Sequence, residues 1–116
     1  VKADLEVAEA ALATAEKAVA VLPAGTDKTG LEGKVKVAKT TITDARAAFD
    51  LKAAEDAITA LETATADLSD ETKVEAAEAL VEPAQKALAK VTGDKTALEL
   101  RLQIAIDKVE EARAAL

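Results

Sequence analysis

The chain contains no histidine, cysteine, methionine, tryptophan or tyrosine, no asparagine, and one aromatic residue, Phe49. Without thiols or imidazoles, thiolate nucleophiles, imidazole bases, structural zinc sites and disulfides are excluded. The lack of cysteine leaves the cellular compartment open. Basic residues are also in short supply, 15 against 22 acidic, for a net charge of −7. That balance opposes nucleic-acid binding, which needs clustered lysine and arginine, and docking on anionic lipid. No apolar run approaches the roughly 20 residues of a membrane-spanning helix, and no signal peptide or sorting motif is present.

What is abundant is alanine, 30 of the 116 residues. Alanine is the strongest helix former and loses no side-chain entropy in a helix. A core of Ala, Val, Leu and Ile has little volume per residue, which suits closely approaching helices better than a broad interior with a ligand cavity. The expected fold class is all-α: antiparallel helical hairpins and a three-helix bundle, joined through a long continuous helix into an elongated molecule.

Apolar residues recur at alternating spacings of three and four, the signature of one buried helical face. Leu5, Ala8, Leu12, Ala15, Val19 and Leu22 define a first helix over about residues 4–22, with Asp4 as N-cap. Pro23 and Gly25 end it, proline because it cannot continue a helix and glycine because it accepts positive φ. The next helix starts within Thr26 to Thr29, capped by Asp27 or by a Thr29–Glu32 capping box. Its stripe is Leu31, Val35, Ala38, Ile42, Ala45 and Phe49. A second stripe, Leu51, Ala54, Ile58, Leu61, Thr65 and Leu68, follows out of phase. No glycine or proline lies between residues 34 and 82, so the economical reading is one helix over about 28–67 whose buried face rotates near Phe49. A break with Asp50 as a fresh N-cap is the alternative. Ser69 is expected to cap a third helix running to Val91, with Val74, Ala77, Val81, Ala84, Leu88 and Val91 inward and a bend at Pro83. Gly93 turns the chain into a fourth helix beginning at Asp94 or Thr96, with Leu98, Leu102, Ala105, Val109, Ala112 and Leu116 inward.

The chain also matches itself. At an offset of 67, residues 27–49 align with 94–116 through Asp27/Asp94, Lys28/Lys95, Thr29/Thr96, Leu31/Leu98, Glu32/Glu99 and Ala38/Ala105, and Ala45-Arg46-Ala47-Ala48 recurs as Ala112-Arg113-Ala114-Ala115. Upstream the offset is 69: "LEVAEAAL" parallels "VEAAEALV" and "AEKAVAVL" parallels "AQKALAKV". The recurring unit is a helical hairpin of about 45 residues, and such periods mark helical repeat arrays. Its recurring positions are caps and inward apolar residues, so the D-K-T turn reads as helix capping rather than a ligand site. The expected division is residues 1–49, a first hairpin running into a shared helix, and residues 50–116, a three-helix bundle. The hairpin lacks a third helix and is expected to be the less stable end. Val1 opens just before a helix and "EARAAL" stops inside a periodic segment, which reads as a piece of a longer protein.

The pattern A-E-K-A-V-x-x-L-P-x-G-T-D-K-T-x-L at Ala15 to Leu31, with Ala45-Arg46-Ala47-Ala48-Phe49 and Ala53 to Ile58, resembles the Ala-rich helical repeats of Gram-positive surface and S-layer proteins. The resemblance covers nearly the whole chain. It implies triple-helical bundles joined by shared helices, an extracellular place on the cell surface or cell wall, and neighbouring repeats of the same parent protein as partners. The second copy departs from it by shortening L-P-A-G to Val91-Thr92-Gly93.

Candidate chemistry is sparse. The acid pairs Glu110-Glu111 and Asp70-Glu71 lie on helices or at a helix start, and no D-x-D-x-D-G calcium loop exists; they read as solvated faces. Ser69, the sole serine, has no base partner in the sequence. Lys34, Lys36 and Lys39 form a small basic cluster, and Thr40, Thr41 and Thr43 an exposed polar one. No catalytic, cofactor-binding or metal residues and no cofactor are assigned, and the chain reads as non-catalytic. The leading functional expectation is a structural spacer of a bacterial surface protein. Alternatives are a helical adhesin module recognising a host or cell-wall ligand, though aromatic and arginine anchors are few, and a designed helical protein. An apolipoprotein-like lipid binder is disfavoured by the narrow, alanine-rich stripes.

Overall fold

The computed structural model describes residues 2–116, and among them the chain is all-α. Four helices follow in order: α1, Lys2–Ala20; α2, Thr26–Ala64; α3, Glu71–Ala89; and α4, Thr96–Ala115. The chain divides into two compact units, Val1–Phe49 and Asp50–Leu116. α2 runs unbroken through Phe49 and Asp50, so Asp50 caps no new helix.

In the first unit α1 lies antiparallel to the opening part of α2. Arg46 Nε donates to Glu9 Oε2 at 3.0 Å, and Lys39 meets Glu16 at 3.9 Å, so the pairs descend one helix as they climb the other. α1 contains no buried residue, and those of α2 all follow Phe49. Leu5, Ala8, Leu12, Ala15, Val19, Val35, Ile42 and Phe49 are half-buried, whereas Ala38 and Ala45 are exposed and Leu31 is 40% exposed. Two helices can cover only one flank of each stripe.

The second unit has three helical segments and a closed core. Ala54, Ile58 and Leu61 of α2 meet Val74, Ala77, Ala84 and Leu88 of α3 and Leu98, Leu102, Ala105 and Val109 of α4, with Val91 closing one end. Every one of these is at most 8% exposed. Lys95, just ahead of α4, reaches the Leu88 carbonyl near the end of α3, and Arg113 near the end of α4 reaches Glu71 at the start of α3. α3 is therefore antiparallel to α4. Arg101 in the first turns of α4 pairs with Glu62 of α2, and Leu51 and Glu55 lie by Asp94 to Leu98, so the α2 segment runs alongside α4 in the same sense.

Helix ends differ from the sequence expectation by one to three residues. Asp4 lies inside the first turn of α1, where negative charge suits the helix dipole, rather than capping it. α1 stops at Ala20, leaving Leu22 37% exposed. At the start of α2 neither proposed cap operates. Thr29 N–H and its hydroxyl both bond back to the Gly25 carbonyl, so no Thr29–Glu32 box forms, and Asp27 lies within the first turn. Gly25 does not use positive φ; among the described residues Gly93 alone does, at 83°, and there an L side chain would be strained. α2 ends at Ala64, with Thr65 N–H shared between the Leu61 and Glu62 carbonyls. Asp70, not Ser69, caps α3: its side chain accepts from Lys73 N–H at 2.9 Å. Ser69 N–H is instead bonded to Asp67. α4 begins at Thr96, whose N–H and hydroxyl both donate to Asp94 at 3.0 and 2.8 Å. Leu116 and Leu51, expected inward, are 59% and 39% exposed.

Candidate functional site

The sequence assigns no catalytic or ligating residue, so the candidates are the polar clusters and the open apolar surfaces. Glu110 and Glu111 are exposed on α4. Asp70 is occupied as a helix cap, and Glu71 faces Arg113 at 3.5 Å. No group of three or more acidic residues able to hold a metal ion exists among the described residues.

Ser69 has a neighbour that sequence reading missed. Lys73 Nζ, in the first turn of α3, reaches back to Ser69 Oγ just ahead of the helix, at 3.1 Å. The pair is not a nucleophile with its base. Lys73 Nζ also donates to Asp67 Oδ2 at 2.7 Å, and this bond and charge raise the lysine pKa above its ordinary value. An ammonium cannot take a proton from the hydroxyl, so Lys73 and Ser69 serve to fasten the turn between α2 and α3.

Among the described residues three arginines each clamp a glutamate of another helix by a hydrogen bond from Nε: Arg46 with Glu9, Arg113 with Glu78, and Arg101 with Glu62. In each, the arginine hydrogen bond holds the carboxylate below its usual pKa. The first two stand at matching positions, because Glu9 and Glu78 differ by 69 and Arg46 and Arg113 by 67. Thus the internal sequence match extends to an interhelical contact. Arg46 also lies over the Phe49 ring, 5.8 Å from its centroid, in reach of a cation–π attraction.

The basic cluster is split by the helix. Lys39 pairs with Glu16, Lys36 faces a mixed-charge hollow with Lys28 and Glu32, and Lys34 rims an apolar one. Thr40 and Thr41 spend their hydroxyls on the carbonyls of Lys36 and Val37, the ordinary fate of threonine inside a helix.

The most developed open surface is the groove between α1 and the first part of α2. One stretch is lined by Ala8, Leu12, Ala15, Val35 and Ile42. The adjoining stretch, sharing Ala8 and Ile42, adds Leu5, Ala45 and Phe49. Its lining is mainly apolar, and Lys34 and Asp4 also border it. Such a surface can take up an apolar helix face but offers no activated group for chemistry. No helix among the described residues is long and apolar enough to cross a membrane. The chain matches no known family, no characterised protein and no solved structure.

Proposed function

We propose that the chain is a non-catalytic structural spacer of a bacterial cell-surface protein of the Gram-positive type, built from related helical segments set in series with neighbouring segments of the same parent. The observation that carries this reading is the matched pair of contacts, Arg46–Glu9 and Arg113–Glu78. What recurs is the means of clamping one helix to the next, as expected of a building element. The 39 residues of α2 add to it, since they carry one helix without a break from the first unit into the second. The extracellular wall setting rests on the resemblance of Ala15 to Leu31 to Ala-rich surface repeats.

Solution scattering tests the reading. A spacer requires a radius of gyration well above the roughly 13 Å of a compact globule of about 100 residues, and chains fused in series should lengthen by a constant increment. A single-chain value near that of a globule would overturn it. A second reading, an adhesin module, draws on the open groove of the first unit; saturable binding of a host or cell-wall polymer by the single chain would favour it.

A further inference from the structure

The first unit contains the same two-helix groove that the second unit fills with a third helix. At the offsets of 69 and 67, Leu5, Ala8 and Ala15 correspond to Val74, Ala77 and Ala84, and Leu31, Val35 and Ile42 to Leu98, Leu102 and Val109. Each residue of the second set is buried, and each of the first is half-buried or exposed. What separates the two sets is the segment that supplies Ala54, Ile58 and Leu61, all fully buried in the second unit.

The polar residues follow the same correspondence. In the second unit the covering segment is held by Arg101, whose guanidinium reaches Glu62 Oε1 at 2.6 Å and Thr59 Oγ1 at 3.4 Å. The residue 67 positions earlier is Lys34. It stands on the rim of the first unit's groove and pairs with no carboxylate among the described residues. The cation that in one unit grips a third helix is thus present in the other, without a carboxylate partner among the described residues.

We propose that the groove between α1 and the first part of α2 is a docking site for one acidic, alanine-rich amphipathic helix with the chemistry of residues 51–65. Its small and branched aliphatic residues, at three-four spacing, cover Leu5, Ala8, Leu12, Val35 and Ile42. A glutamate on its flank pairs with Lys34 and sets the register. The charge match is specific: a basic helix leaves Lys34 facing like charge, and a helix without a flanking carboxylate leaves it unpaired. This site does not rest on the spacer reading, since it depends only on the internal geometry of one unit.

The test extends the full chain by placing the sequence of residues 50–70 directly ahead of Lys2, which reproduces the spacing between Leu61 and Val74. Hydrogen exchange of amides in residues 5–45 should slow by about tenfold or more, as expected when an open stripe becomes a closed core. Lys34→Glu in the extended chain should remove much of that gain. A matching Glu→Lys change at the added counterpart of Glu62 should restore it. The proposal is overturned if protection does not rise, or if it rises equally when the added counterparts of Ile58 and Leu61 are both serine. A gain indifferent to Lys34→Glu overturns the charge-set register. Protection of the unextended chain that grows with protein concentration would make a second copy the occupant, and would overturn the proposal too.

Discussion

Asp67 sits in the turn between α2 and α3, where its carboxylate accepts hydrogen bonds from the Lys73 ammonium and the Ser69 N–H. The lysine bond first, then the serine contacts, lower its pKa from 3.8 to about 2. A carboxyl depressed in the folded state contributes stability that is present above its unfolded pKa and lost as pH falls through the folded one. The turn should therefore weaken between about pH 4 and pH 2. Glu9, Glu62 and Glu78, held down by their arginines, act with the same sign below 4.5. Carboxyl NMR titration of Lys73→Met should find the Asp67 pKa moved up toward the ordinary range, and acid melts of that variant should lose less between these limits than the wild type. An Asp67 titration unchanged by Lys73→Met would show that Lys73 does not hold it. The same residues explain why Ser69 misleads as a cap. Serine and aspartate are both good N-caps, and with two such residues in succession the choice falls to the local hydrogen bonds of the turn. Asp67 takes the Ser69 N–H, the chain turns one residue further, and Asp70 receives the helix.

α3 continues through Pro83 from Glu71 to Ala89. Proline lacks the N–H that would bond to the carbonyl four residues earlier, here Ala79. Both Pro83 and Ala79 are exposed, so water can satisfy that carbonyl and the helix tolerates the defect. The matching residue of the first unit is Thr14, which shows no need for proline at that position. Pro83→Ala should raise stability by about 1–3 kcal/mol, seen as a higher urea midpoint; a lower midpoint would mean that packing uses the ring. In the interior of the bundle, Leu102→Asp places a charge among residues at most 8% exposed and should cost about 3–5 kcal/mol. An unchanged cooperative melt would refute the core. That core was largely legible in the sequence: Val74, Ala77, Ala84, Leu88, Val91, Leu98, Leu102, Ala105 and Val109 all fall on the three-four stripes and all are buried. The stripes also singled out Leu31, Ala38, Ala45 and Leu116, which are not. Periodicity reports which face can be buried, whereas burial requires a partner helix at that level, and Leu116 lies beyond the end of α4.

At the scale of the molecule the two units differ in what closes them. The second has three helical segments around twelve buried apolar residues; the first has a hairpin held by Arg46–Glu9, Lys39–Glu16 and a half-open aliphatic stripe. Local opening follows buried contact, so amides of residues 5–45 should exchange faster than those of 54–109, measured residue by residue on the chain as it stands. Uniform protection would show that the hairpin draws its stability from something other than its own packing. The contact of Arg46 with Phe49 gives this asymmetry a private spectroscopic channel. With no tryptophan, tyrosine or histidine in the sequence, Phe49 is the sole source of aromatic ring current. Methyl resonances shifted by a ring must therefore come from its surroundings, where Leu5, Ala8, Ile42 and Ala45 line the same hollow. A one-dimensional proton spectrum, with no isotope labelling, reads the state of that one end of the groove while the rest of the protein stays silent.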